Sequence, residues 1–218
     1  MPVKDWMSTE LVTIDEDASI MKASKIMKQN HIQYLPVLSK GRLVGILSDR
    51  DLKEASPSKA TTLDMHEMYY LLDKVLVKSL MPKHLYTIAP EDTVEKAAAV
   101  MLKHHISALP VVDAKAALAG IITKGDIFRA FVSISGIYQG ALAMSFELPD
   151  QPGSIQTVTD VVRAHGGRIA SILTGYEGAP EGFRYVFIRA KDIKDEKTLQ
   201  KELEAKSKLL YFIHEKVD

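Results

Sequence analysis

The first third of the chain is written twice. Val3, Met7, Thr13, Ile14, Ala23, Met27, His31, Ile32, Leu35, Pro36 and Val37 reappear 74 positions on as Val77, Met81, Thr87, Ile88, Ala97, Met101, His105, Ile106, Leu109, Pro110 and Val111. One extra residue enters between Asp113 and Ala119, where a turn is expected, and Gly45, Ser48, Asp51 and Leu52 then fall onto Gly120, Thr123, Asp126 and Ile127 at an offset of 75. A duplication of this kind requires two like units. A unit of about 55 residues exposes too much surface to be stable alone, so the two are expected to pack sheet against sheet.

Each copy predicts the order β-α-β-β-α. A short strand near LVTI or LYTI leads to a helix with Ile20, Ala23 and Met27, or Val94, Ala97 and Met101, at helical spacing. Asp17 and Asp92 lie near the helix starts, where negative charge is favoured. Two apolar strands follow, YLPVL and LVGILS in copy one, ALPVVD and LAGIIT in copy two, and then a second helix from about 49 or 124. Residues 56 to 74 read as a polar spacer and a linker helix through Met65, Met68, Tyr69 and Leu72. The expected division is repeat 1 over 1–56, linker over 57–75, repeat 2 over 76–134 and a separate domain over 138–218.

With 28 basic and 28 acidic residues, no net field draws the chain to nucleic acid or to an anionic membrane. The absence of cysteine excludes disulfides, zinc-thiolate sites and thiol nucleophiles. Lys4, Asp5 and Glu10 interrupt the apolar stretch that a secretory signal needs, and no apolar run is long enough to cross a bilayer. The expectation is a soluble, cytoplasmic protein.

Ser48-x-x-Asp51 and Thr123-x-x-Asp126 both sit where a strand meets a helix. Such a pair is commonly a helix cap, the hydroxyl accepting from a first-turn N–H with an acid nearby. It also suits a nucleotide, because a helix N-terminus attracts phosphate and a carboxylate can accept ribose hydroxyls. Spacing alone leaves both readings open. The recurrence of Ile-x-x-Leu-Pro-Val followed by Gly-apolar-apolar-Ser/Thr-x-x-Asp is more specific: HIQYLPVL with GILSDRDL, and HISALPVVD with GIITKGDI, resemble the halves of a tandem cystathionine-β-synthase (CBS) domain pair, or Bateman module, over about 3 to 133.

That resemblance implies an α+β pair related by a pseudo-twofold axis, with two clefts for adenosine nucleotides such as AMP, ATP or S-adenosylmethionine. It implies that Asp51 and Asp126 hold ribose and that Ser48 and Thr123 lie beside phosphate. Ile32, Gln33, Tyr34 and Pro36, and Ile106, Ser107, Ala108 and Pro110, mark the segments that contact adenine, while Thr13, Ile14, Thr87 and Ile88 form the opposite walls. Arg50 is placed to reach phosphate in copy one, and Lys124 supplies a cation one position earlier in copy two. Ser107 and Ala108 leave room for a purine, whereas Gln33 and Tyr34 either fill the cleft or stack on the base, so the second site is favoured.

From Tyr138 the pattern changes. Leu142, Met144, Phe146 and Leu148 alternate as a strand with one buried face. After DQPG, the residues Ile155, Val158 and Val162 make a helix face that stops at Gly166-Gly167. Strands near 168–174 and 182–190, a polar helix near 195–206 and a last strand complete β-α-β-β-α-β. This order, with Asp150-x-Pro152-Gly153 before the first helix, resembles the ACT domain, a ferredoxin-like regulatory fold that often binds amino acids between paired copies. The resemblance implies a ligand near Asp150, Pro152, Gly153, Ser154, Ile155 and Arg168, although Arg168 stands where that family commonly has asparagine. A purely oligomerising role is the other reading. A CBS pair followed by an ACT domain resembles the acetoin-utilisation protein B family of bacteria.

The remaining chemistry-bearing residues carry less. His104 and His105 end a helix, where positive charge is favoured, and adjacent residues on a helix face different ways, so no metal site is expected. The recurrent methionines suit adaptable packing. No nucleophile with a base and no P-loop stands apart from the repeat. The expectation is a non-catalytic sensor of adenine nucleotides that forms a homodimer or larger homo-oligomer and regulates a partner unknown from sequence. The rivals are a ligand-free dimerising scaffold and an enzyme of small-molecule metabolism.

Overall fold

The computed structural model describes residues 1–55, 73–82 and 84–215. The linker helix expected through Met65, Met68, Tyr69 and Leu72 lies outside them. The chain divides into two compact units, Met1–Ile127 and Phe128–Asp218.

In the first unit, β1 (Ile14–Asp15) pairs parallel to β2 (Tyr34–Ser39), which pairs antiparallel to β3 (Arg42–Ser48). The second copy repeats the hairpin as β4 (Ala108–Val112) and β5 (Leu118–Thr123). There the strand expected at LYTI shrinks to a single parallel bridge between Ile88 and Val111. Helix α1 (Ile20–Gln29) starts at Ser19, whose Oγ accepts from the Lys22 N–H at 3.3 Å, and buries Ile20, Ala23 and Met27. After α2 (Asp49–Ala55), α3 (Val94–His104) starts in the same way at Thr93 and buries Val94, Ala97 and Met101. Equivalent left-handed residues follow both long helices, His31 at φ 52° and His105 at φ 54°. Helix α4 (Lys124–Ser135) closes the second copy.

The segment ahead of each repeat packs on the other copy. The Val3 N–H donates to Asp92 O at 2.8 Å, the Val94 N–H to Met1 O at 2.8 Å, and Ser8 bridges Ile121. Reciprocally, the Val77 N–H donates to Ala18 O at 2.9 Å and the Ile20 N–H to Val75 O at 2.9 Å. Val3 and Val77 are both fully buried, and each contributes roughly 1.5–3 kcal/mol by leaving water. The exchange explains the repeated glycine. A Cβ on Gly45 would stand 2.5 Å from Met81 Sδ, and one on Gly120 would stand 2.5 Å from Met7 Sδ.

The second unit runs β6 (Leu142–Pro149), α5 (Ser154–Ala164), β7 (Arg168–Gly175), β8 (Phe183–Lys191), α6 (Glu196–Lys206) and β9 (Lys208–His214). All neighbours in the sheet order β7-β8-β6-β9 are antiparallel. Met144, Phe146, Val158, Val162, Ile188, Leu199 and Leu203 form one core between the sheet and its two helices. Gly166, at φ +78°, ends α5, and a Cβ on Gly167 would lie 2.7 Å from Val162. One expectation fails on β6: Ala143 and Ser145, on the face opposite the core, are buried as well.

Candidate functional site

Among the cavities of the first unit, the repeat maps one onto another. The larger, about 550 Å³, is lined by Ser8, Glu10, Val12, His31, Ile32, Gln33, Tyr34 and Pro36 and by Thr123, Lys124, Gly125 and Asp126. The smaller, about 310 Å³, takes Pro82, His84, Tyr86, His105, Ile106, Ser107 and Ala108 together with Ser48, Asp49, Arg50, Asp51 and Glu54. Each cavity therefore combines the Ser/Thr-x-x-Asp turn of one copy with the Ile-x-x segment of the other; Tyr34 and Ser107 line both.

Both turns form complete capping boxes. The Ser48 N–H and Oγ donate to Asp51 Oδ2 at 2.8 and 2.6 Å, and the Asp51 N–H donates back to Ser48 Oγ at 3.2 Å. The Thr123 N–H and Oγ1 donate to Asp126 Oδ2 at 2.8 Å each, and the Asp126 N–H donates to Thr123 Oγ1 at 3.3 Å. The capping geometry weighed from sequence is thus present, and it places both carboxylates on a cavity wall. In each box the carboxylate engages through Oδ2.

Charge distinguishes the cavities. In the smaller one, Arg50 Nε donates to Glu54 at 2.7 Å and Asp49 pairs with Lys53 at 2.8 Å. The Glu54 hydrogen bond, then its charge, hold the Arg50 guanidinium above its ordinary pKa. In the larger one, Lys124 and Glu10 both belong to the lining, and Lys124 makes no salt bridge to a described residue. Tyr86 stacks on His104 with ring centroids 3.9 Å apart, fixing the aromatic wall of the smaller cavity.

Several predicted placements need correction. Ile14 and Ile88 are core residues, each 4% exposed, and neither they nor Thr13 and Thr87 line either cavity. The walls are instead Ser8, Glu10, Leu11 and Val12, and Pro82, His84 and Tyr86, just upstream. Pro36 lines the larger cavity, but Pro110 is buried away from both linings. Of the four residues expected to set purine room, Ala108 lines the smaller cavity with Asp51 and Gln33 the larger with Asp126, while Ser107 and Tyr34 line both, so the small pair does not favour the Asp126 site. His31, His105 and Glu54 join the linings without having been expected there. The offset offers a signal for the walls, since it aligns Ser8 with Pro82, Glu10 with His84 and Val12 with Tyr86.

In the second unit, Gly153 takes φ +86° ahead of α5, as a tight turn requires. Ser154 is buried and its Oγ accepts from Arg184 Nη2 at 3.1 Å, while Arg184 Nη1 lies 3.5 Å from Asp150. Arg184, which the sequence does not single out, thus ties this turn to β8; its buried Nε has no hydrogen-bond partner among the described residues. Ile155 packs against the core and Pro152 is exposed. Arg168 lies apart from this cluster, exposed at the start of β7 and 3.8 Å from Asp192.

Among the described residues, no group of three or more His, Asp or Glu is placed to hold a metal ion, and no helix is long and apolar enough to cross a membrane.

The CBS domain model matches residues 3–58 and 77–133. A homoserine O-acetyltransferase of Methanosalsum zhilinae is 36% identical over 126 residues, 57% of this chain and 23% of that protein. The chain thus spans about a quarter of the length of such curated relatives. The crystal structure of a CBS domain pair in complex with 5′-methylthioadenosine and S-adenosyl-L-methionine is similar at a TM-score of 0.51 and 31% identity, covering 61% of this chain and 96% of that one. The structure assigned to an acetoin utilization protein from Vibrio cholerae is similar at a TM-score of 0.51 and 27% identity, covering 64% and 96%. With both copies matched and their boxes set on paired cavities, this chain belongs to the CBS domain family.

Proposed function

We propose that the chain is a regulatory, non-catalytic protein whose CBS pair binds adenosyl ligands such as AMP, ATP or S-adenosylmethionine. The observation that carries this reading is the cross-built pair of cavities, each with a capped aspartate on its wall. In the larger, Asp126 accepts a ribose hydroxyl, the start of α4 with Lys124 faces the phosphate or other polar tail, and the Gln33–Tyr34 segment meets the base. The related pair that holds methylthioadenosine and S-adenosylmethionine supports the ligand class. A ligand that bridges two copies of the repeat favours their closed arrangement by its differential affinity for it, and this is the regulatory step.

On the same reading, residues 1–56 and 76–134 are the two repeats, 57–75 the linker, and 138–218 an ACT-like domain of ferredoxin-like topology that pairs copies into a homodimer or larger assembly. An amino acid near Asp150, Gly153 and Ser154, and a part in acetoin utilisation within the cytoplasm, belong to this proposal. A second reading, a ligand-free scaffold, draws on one observation: each capping box is complete without a ligand.

Titration calorimetry with AMP, ATP and S-adenosylmethionine separates the two. Asp126→Asn keeps an acceptor for the box and removes the charge, and it is expected to cost about 1.5–3 kcal/mol of binding, roughly 10- to 100-fold. Silence from every ligand supports the scaffold.

A further inference from the structure

Another cavity lies in the second unit, on the face of the sheet opposite its helical core. It is an open hollow of about 630 Å³ lined by Phe131, Val132 and Tyr138 from the segment before β6 and by Leu173, Phe187 and Arg189 of the sheet, with Phe131 and Tyr138 more than half exposed. That volume falls in the roughly 300–1,000 Å³ range of small-molecule sites, and the largely apolar lining with few polar groups matches their usual make-up.

The polar groups are specific. Arg189 is mostly buried; its Nη1 donates to Gly140 O at 3.3 Å and its Nη2 to Glu215. The guanidinium carries more N–H donors than these two bonds use. Tyr211 also lines the cavity, and burial raises its phenol above the ordinary value, so it stays a donor. Ser145 is 1% exposed and its Oγ has no partner among the described residues. Its register partners are Phe187 and Tyr211, and it shares a strand face with Ala143; all three line the cavity.

We propose that this cavity binds a small uncharged molecule with a ring-sized apolar body and an oxygen acceptor at one end. Glu215 already neutralises Arg189, so a carboxylate entering the cavity would bury uncompensated negative charge. A neutral carbonyl oxygen instead takes the remaining N–H donors of Arg189 and the phenol of Tyr211, while the body displaces water from Phe131, Leu173 and Phe187. The site is separate from both nucleotide cavities and from the turn at Asp150.

Saturation-transfer NMR and titration on the full chain, with acetophenone, benzoate and ethylbenzene as probes, test this. Acetophenone is expected to bind at least 5-fold more tightly than either of the others. Leu173→Trp, which fills the cavity, should weaken it at least 10-fold, and Arg189→Met should narrow the gap between acetophenone and ethylbenzene. If Leu173→Trp does not fold by thermal melting, Phe187→Ala serves as the second variant, with an expected loss of at least 5-fold. Absence of acetophenone binding to the folded chain, equal or tighter binding of benzoate, or binding indifferent to these substitutions overturns the proposal. So does a Leu173→Trp chain that changes oligomeric state in sedimentation while its acetophenone affinity stays intact, because the face would then be an interface between copies.

Discussion

The two nucleotide-sized cavities share a topology and differ in what lines it. Both have an upstream wall, a left-handed histidine, an Ile-x-x segment and a capped aspartate. Yet the larger offers Lys124, with no salt bridge among the described residues, near Asp126, and the smaller offers an Arg50 bound to Glu54 and a wall stiffened by Tyr86 on His104. Duplication preserved the backbone frame, because cores and caps must be satisfied in each copy. The linings were free to diverge, and the pair is therefore expected to bind unequally.

The largest expected inequality is in binding. Asp126→Asn should remove most of the adenosyl affinity, while Asp51→Asn should cost less in the same calorimetric titration; equal losses would show that the cavities act alike. Next is packing. The new methyl of Gly120→Ala meets the Ser8 carbonyl at 3.0 Å as well as Met7, whereas that of Gly45→Ala meets only the flexible Met81 side chain. Gly120→Ala should lose about 1–3 kcal/mol in urea unfolding, and Gly45→Ala a smaller amount. Charge comes third. Glu54→Gln releases Arg50 and should raise affinity for a phosphate-bearing ligand in the smaller cavity alone, by about two- to five-fold at low salt and less at high salt.

The smallest effect concerns acid. Lys96 first, then the Ala89 N–H, hold the Asp92 carboxyl below the usual carboxylate range. A depressed folded value means that its stabilisation is complete above the unfolded pKa of about 3.9 and is lost as pH falls through the folded value. Asp92→Asn should therefore lower stability slightly at neutral pH and flatten the acid limb of a stability-against-pH curve, the two chains converging once pH falls below the folded value.

The repeat, its helices and both Ser/Thr-x-x-Asp boxes are legible in the sequence because each rests on local spacing. Ile20, Ala23 and Met27 fall on one helix face, and Ser48 reaches Asp51 within a single turn. Which copy each segment packs on is not legible. An offset of 74 says that Ser8 and Pro82 are equivalent, but the exchange that carries Val3 to Asp92 and Val77 to Ala18 is a long-range choice that no spacing records. Hence the sequence points to Thr13, Ile14, Thr87 and Ile88 as walls, just downstream of the residues that form them. The same limit applies on β6. Alternation identifies Leu142, Met144 and Phe146 as buried but cannot reveal that Ala143 and Ser145 are buried too.

Calorimetric titration of the intact chain, run in parallel on Asp126→Asn and Asp51→Asn, reads the account most directly. It predicts adenosyl binding in which the tighter event disappears with Asp126→Asn and any weaker event disappears with Asp51→Asn. Binding that survives both substitutions unchanged would contradict it.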